Sequence, residues 1–154
     1  MTDSFSQPGF PQSQFSQAHF SQTCTQDVQS RRVHFIAAGP IDSARMVDQQ
    51  IAFLRSIEAP WLMDRIVDLR ACTGNVGYED LVRLSLYWSS IEAKAPRPIK
   101  VAVITTEAEQ PGRRRTINLL FQNQAFACFA DWADAVQWLE TADAVASPDQ
   151  ACAA

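Results

Sequence analysis

The chain has 154 residues, a length typical of a single domain with a core of moderate size. Hydrophobic residues make up 47% of it and charged residues 19%, which is ordinary for a folded soluble protein. The formal net charge of −4 argues against nucleic acid, or an anionic membrane, as a general electrostatic partner, although a local basic patch stands at Arg113, Arg114 and Arg115.

The cysteines lie at long, irregular intervals without a C-x-x-C pair, and neither histidine has a zinc-like spacing from one. The first ten residues include an acidic residue and no apolar run of useful length, which argues against a signal peptide. No stretch approaches the roughly 18 apolar residues of a membrane span. We therefore expect a cytoplasmic protein with structural thiols and with no metal or cofactor.

Residues 1–22 are rich in Ser, Gln and Pro. Their phenylalanines recur every five residues, at Phe5, Phe10, Phe15 and Phe20. A period of five fits neither a helical stripe nor strand alternation, so this segment is predicted to be disordered. An alternative is that its phenylalanines contact a partner or the domain's own surface. The Ala-rich residues 142–154 are also predicted to be disordered, which leaves a single domain at 23–141.

Strand and helix patterns alternate along this domain. Apolar or β-branched runs predict strands, and apolar residues at spacings of three and four predict helices. Strands are predicted at 21–26, 32–38, 65–70, 99–105 and 125–129, and helices at 42–58, 78–94, 112–124 and from 131. Repeated strand–helix alternation requires crossover connections, so the pattern predicts an α/β domain whose largely parallel sheet of four or five strands carries about four helices.

The order of these pieces resembles a known family over roughly residues 33–140. Asp-Leu-Arg at 68–70 ends one strand, and Lys-Val-Ala-Val-Ile at 100–104 forms the next. The closing element has the form F-x-D/S-x-x-x-A-x-x-W-L, with Phe129, Asp131, Ala135, Trp138 and Leu139. This order resembles the SpoIIAA-like branch of the STAS domains, named for sulfate transporters and anti-sigma-factor antagonists. The resemblance implies a bacterial protein with a mixed sheet, often preceded by an N-terminal hairpin.

The resemblance also implies binding rather than catalysis. Anti-sigma-factor antagonists dock on a partner kinase, which phosphorylates a serine in a D-S-S-G pattern after the Asp-Leu strand. Here that stretch is Val-Gly-Tyr-Glu, so only Tyr78, and Thr73 earlier in the loop, offer a hydroxyl. We therefore predict a module that regulates a protein partner without the usual phosphoacceptor serine. The alternative is a carrier of a small apolar or lipid-like ligand that associates peripherally with membranes; a homodimer is left open.

Arginines at the start of the third helix are the first candidate binding residues. Arg113, Arg114 and Arg115 oppose the helix dipole, and an anion such as phosphate, carboxylate or a lipid headgroup would relieve this repulsion. The alternative is that they are solvated or pair with acidic neighbours.

Asp68 and Arg70 are the second candidate, because ligands bind at the carboxyl ends of parallel strands. If buried, Asp68 needs a partner such as Arg70 or the following loop.

Enzymatic motifs are missing from the sequence. It contains no H-E-x-x-H, no G-x-S-x-G and no phosphate-binding G-x-x-x-x-G-K. The two histidines lie in the N-terminal segment and within a predicted strand, where neither has an evident nucleophile beside it. We therefore predict that the protein is not an enzyme.

Overall fold

A computed structural model describes residues 19–107 and 111–141. Its five strands are β1 (Ser21–Asp27), β2 (Arg32–Pro40), β3 (Asp64–Thr73), β4 (Ile99–Ile104) and β5 (Gln124–Phe129). Its four helices are α1 (Ser43–Ser56), α2 (Tyr78–Ser89), α3 (Pro111–Leu120) and α4 (Trp132–Glu140). Two short 3₁₀ turns, Pro60–Leu62 and Glu92–Lys94, follow α1 and α2. The predicted α/β class is confirmed, with a mixed sheet of five strands and four helices.

The strands lie in the sheet in the order β1-β2-β3-β4-β5. β1 pairs antiparallel with β2, and every later pair is parallel. Because the parallel strands follow one another in the same direction, right-handed crossovers place α1, α2 and α3 on one face of the sheet. Helix α4 packs on the other face, where Ala135 and Leu139 contact Ile66 and Ala102. The interior strand β4 is therefore covered on both faces, as its continuous apolar run predicts.

The N-terminal hairpin is anchored by its turn and by the residue that precedes it. The Asp27 carboxylate accepts hydrogen bonds from the backbone N–H groups of Gln29 and Ser30 at 3.0 and 3.2 Å. Phe20 is buried in the core beneath α1. The predicted domain start at residue 23 falls inside β1. The other three repeated phenylalanines and the tail at 142–154 lie outside the described residues.

Two aspartates begin helices as their positions predict. Asp42 accepts a hydrogen bond from the backbone N–H of Arg45 at 3.1 Å, and Asp131 accepts one from Asp134 at 3.0 Å. The predicted helix ends are too late. Helix α2 ends at Ser89 rather than at residue 94, and the backbone changes there to the 3₁₀ pattern: the Ile91 N–H donates to the carbonyl of Trp88, three residues earlier, at 2.9 Å.

The other two helix ends were also predicted too late. Helix α1 ends at Ser56 rather than at residue 58, ahead of the 3₁₀ turn that begins at Pro60. Helix α3 ends at Leu120 rather than at residue 124, because Gln124 already belongs to β5. The chain therefore leaves each helix before its apolar periodicity ends.

A group of polar side chains connects the amino-terminal ends of β3 and β4 to α4. The Asp64 carboxylate accepts hydrogen bonds from the Arg97 guanidinium at 2.8 and 3.0 Å and from the backbone N–H of Lys100 at 2.9 Å. The Lys100 ammonium, in turn, donates to the Thr141 carbonyl at the end of α4. A cation at this position stabilises the negative end of the helix dipole.

Candidate functional site

A cavity of about 170 Å³ lies between the sheet and helices α1, α2 and α3. Its walls are mainly apolar and include Met46, Val47, Leu69, Leu81, Val103 and Phe126. The period-two alternation of β3 and β4 directs their apolar side chains to this face, and the stripes of the helices close over them. The cavity is therefore part of the main core rather than a surface groove.

The cavity opens at the carboxyl ends of the parallel strands. This opening, the mouth of the cavity, carries the charged residues predicted at the start of α3. Arg113 and Arg114 both belong to the lining, together with Glu107. The half-buried Arg113 guanidinium donates to the carbonyl of Val76 at 3.1 Å. Burial lowers the pKa of Arg113, and the nearby Glu107 carboxylate opposes that change. Arg115 is exposed and is not part of the lining.

Asp68 and Arg70 lie on the opposite face of the sheet. The Asp68 carboxylate accepts hydrogen bonds from the Arg70 guanidinium at 2.6 and 3.0 Å and from the Arg70 backbone N–H at 3.1 Å. These hydrogen bonds hold the pKa of Asp68 below its ordinary value. The expectation that a buried Asp68 needs a partner is met by Arg70 rather than by the loop. The pair faces a shallow depression beside Ile36 and is separated by the sheet from Arg113.

Thr73 and Tyr78 flank the mouth without lining it. Thr73 ends β3, where its carbonyl accepts a hydrogen bond from the backbone N–H of Ile41 at 2.9 Å. Tyr78 is the first residue of α2, and 62% of its side chain is exposed. The start of α2 is held by Ser43 of α1, whose hydroxyl oxygen accepts from the Gly77 N–H at 2.7 Å. Both hydroxyl-bearing residues are therefore exposed and are not part of the cavity lining.

The floor of the cavity contains an arginine that the sequence analysis missed. Arg65 is only 3% exposed and belongs to the lining. Its guanidinium donates through Nη2 to Oε1 of Gln124 and lies 4.4 Å above the ring of Trp88. Burial lowers the pKa of Arg65 to about 10. None of the ion pairs within residues 19–107 and 111–141 includes it.

Three buried N–H donors around this floor have no hydrogen-bond acceptor in the described part of the chain. They are Nε of Arg65, Nε2 of Gln124 and Nε1 of Trp88. Buried donors without acceptors are rare in folded proteins, and each costs free energy. The sequence does contain a signal for Arg65. It stands two and four residues before the apolar Val67 and Leu69, and residues at this spacing along a strand share one face.

Other site types find no support within the described ranges. Residues 19–107 and 111–141 contain no group of three or more His, Cys, Asp or Glu side chains that could hold a metal ion. In the same ranges, no helix has the length and apolar character needed to cross a membrane. Cys72 lines the cavity, and burial raises the pKa of its thiol, which favours the protonated form.

The sheet order, the hairpin and the closing helix together define a SpoIIAA-like α/β fold. The structure is similar to that of an uncharacterized protein from the DUF3478 family with a SpoIIAA-like fold from Shewanella loihica PV-4, with a TM-score of 0.53 and 20% sequence identity. The match covers 79% of this chain and 94% of that chain. No family model matches the sequence, and no curated protein matches it. The predicted SpoIIAA-like fold is therefore confirmed, while a likeness at this identity carries no activity.

Proposed function

We propose that the chain binds a small apolar or amphiphilic molecule in the cavity between the sheet and helices α1 to α3, and that it acts as a carrier without catalysing a reaction. The observation that carries this proposal is an apolar cavity of about 170 Å³ with arginines at its mouth and floor. A cavity of roughly 150 Å³ holds benzene, whereas drug-sized ligands occupy roughly 300–1,000 Å³. The ligand is therefore about the size of one aromatic ring or a short acyl chain.

The charge of the lining favours an anionic amphiphile over a cationic one. Its charged residues are Arg65, Arg113 and Arg114, with Glu107 as the acidic member. The arginines at the mouth raise the local concentration of anions, since charges of one sign around a low-dielectric opening focus the field. The hydrogen bond from Arg113 to Val76 joins α3 to the loop before α2, so it must rearrange if the mouth opens between these elements.

Regulation of a protein partner, which the sequence predicts, stays a prediction. Tyr78 and Leu86 on α2 and Leu119 on α3 are 62–66% exposed, and these two helices also enclose the cavity. A partner that contacts them would be sensitive to a ligand between the helices and the sheet. We regard regulation of such a partner as a consequence of ligand binding rather than as a separate function.

Binding of small neutral probes tests the proposed carrier function directly. Isothermal titration calorimetry of the full chain with benzyl alcohol and 1-hexanol should show saturable binding at one site. Val103→Phe, which places a ring in the cavity, should weaken binding at least tenfold without lowering the thermal midpoint. Leu86→Phe is the matched control, because Leu86 is 66% exposed and outside the lining.

The proposal is wrong if neither these alcohols nor the corresponding acids, benzoate and hexanoate, bind the native chain, or if Val103→Phe binds the probes as well as the native chain does. Should Val103→Phe fail to fold, Leu84→Phe on α2 places a similar ring in the same cavity from a half-buried helical position. Loss of binding in either folded variant, with binding retained in the Leu86→Phe control, places the probe in the cavity.

A further inference from the structure

Arg65 lies at the end of the cavity that is farthest from the mouth. It is the second residue of β3 and stands level with Val33 of β2 and Val101 of β4 in the parallel register. Leu69 lies four residues further along the same face of β3, about 13 Å away at the usual strand rise. A ligand that enters beside Arg113 therefore meets Arg65 last, beyond the apolar walls.

Arg65 forms no ion pair with a carboxylate of the described residues, and the charge of Asp64 offsets only part of the effect of burial on its pKa. Asp64, its neighbour in sequence, points to the other face and binds the Arg97 guanidinium at 2.8 Å. The contacts of Arg65 are with the neutral side chains of Gln124 and Trp88. A buried cation is costly unless an opposite charge and hydrogen bonds compensate it. The floor of the cavity is therefore complementary to an anion.

The guanidinium of Arg65 at the floor is a hydrogen-bond donor only. Its Nε finds no acceptor among the described residues, and the neighbouring Gln124 and Trp88 lie outside the cavity lining. A carboxylate offers two oxygens with about four acceptor positions and no donor, and it pairs well with the fork of a guanidinium. A phosphate would bring up to two negative charges against one arginine. A single carboxylate is therefore the better match.

The mouth is a weaker receptor for the same group. Arg113 already donates to the Val76 carbonyl, and Glu107 is close enough to oppose the lowering of its pKa. Attraction between charges near solvent is screened by salt, whereas a pair at the buried floor is screened much less. The sequence predicts an anion near Arg113, Arg114 and Arg115, whereas the geometry favours a ligand whose charged end lies at Arg65.

We propose that Arg65 receives the carboxylate of a small monocarboxylic acid, aryl or short-chain, whose apolar body fills the cavity above it. This inference rests on the proposed carrier function and adds the class of ligand and its orientation. Arg113 and Arg114 then attract the acid to the mouth, and Arg65 selects acids over neutral compounds of the same size.

Two matched pairs of probes test this selectivity: benzoate against benzyl alcohol, and hexanoate against 1-hexanol. The native chain should bind each acid at least tenfold more tightly than its alcohol in calorimetry. Arg65→Met should lose roughly 10- to 100-fold in affinity for the acids, as expected for a charge-assisted hydrogen bond, and keep its affinity for the alcohols. Preference for one pair over the other identifies the ligand as aryl or short-chain.

The control variants separate the floor from the mouth. Arg113→Met, which removes the half-buried arginine of the mouth, should change acid affinity only a few fold. Arg83→Met removes a surface charge outside the lining and should change nothing. Should Arg65→Met fail to fold, Arg65→Gln keeps a polar side chain and makes the same test.

The possible results distinguish the carrier function from the role of Arg65. If the alcohols bind as tightly as the acids, the role of Arg65 is refuted while the carrier function stands. If no probe binds the native chain, both proposals fail. If a folded Arg65 variant loses acids and alcohols equally, Arg65 only supports the cavity and the inference is wrong. A loss confined to the acids supports it.

Discussion

Replacing Arg65 and its partner Gln124 by apolar residues should make the unliganded protein more stable. Burial lowers the pKa of Arg65 to about 10. This value lies below the ordinary pKa of an arginine, so keeping Arg65 protonated costs the folded state free energy. Because the folded pKa lies below the unfolded one, this cost is fully present at neutral pH and is relieved only as the pH rises above about 10.

The single variants should behave differently from the double variant. Arg65→Met alone leaves Oε1 of Gln124 without its donor, which costs about 1–3 kcal/mol and offsets the gain. Gln124→Leu alone removes an acceptor from the buried guanidinium and should destabilise the protein by a similar amount. The double variant removes the charge and the unpaired Nε2 together, and sulfur–aromatic contact with Trp88 replaces part of the stacking. We expect it to gain about 2 kcal/mol.

Urea unfolding at pH 7 measures these differences. For a protein of this size, a gain of about 2 kcal/mol raises the urea midpoint by about 1 M. The reasoning is refuted if the double variant is less stable than the native chain, or if the effects of the two single variants simply add, because the predicted coupling between Arg65 and Gln124 would then be absent.

Three further variants test the fold around the site. Asp68→Asn should lower stability at pH 7 and have a smaller effect in acid, because the lowered pKa of Asp68 stabilises the fold at neutral pH and that stability is lost as acid protonates the carboxylate; urea midpoints measured over a series of falling pH values check this. Gly39→Ala should cost more than Gly74→Ala in thermal unfolding: both glycines have positive φ, 88° and 86°, but a Cβ at Gly39 would lie 2.6 Å from a backbone oxygen, while Gly74 has open space. Asp131→Ala should cost about 0.5–2 kcal/mol, measured in urea, through loss of the N-cap of α4; an unchanged midpoint would show that the cap contributes nothing.

The fold was predictable because its signals are local. Apolar periodicity predicts each strand and helix, and Asp42 and Asp131 mark two helix starts through hydrogen bonds within one turn. The helix ends were less predictable, since periodicity continues past them. At α2 the backbone changes to the 3₁₀ pattern at Ile91, and at α3 the chain leaves the helix to pair Gln124 with β4.

The cavity was only partly predictable because it depends on which face of the sheet the helices cover. Arg113 and Arg114 were predicted from their place at a helix start, and both line the cavity. Arg65 and Asp68 lie on opposite faces of β3, since side chains alternate along a strand. The sequence shows this alternation, but the side that the helices cover follows from crossover handedness. A charged residue of β3 that stands an even number of positions from Val67 is therefore a candidate for the cavity lining.

A crystal structure of the protein with 4-bromobenzoate tests the central claim most directly, because bromine scatters anomalously and marks one end of the ligand. We expect a single bromine peak inside the cavity on the side of Arg113, with the carboxylate within hydrogen-bond distance of the Arg65 guanidinium. A carboxylate at Arg113 with the bromine at the floor would contradict the proposed orientation. A bromine peak outside the cavity, or none, would contradict the binding function itself.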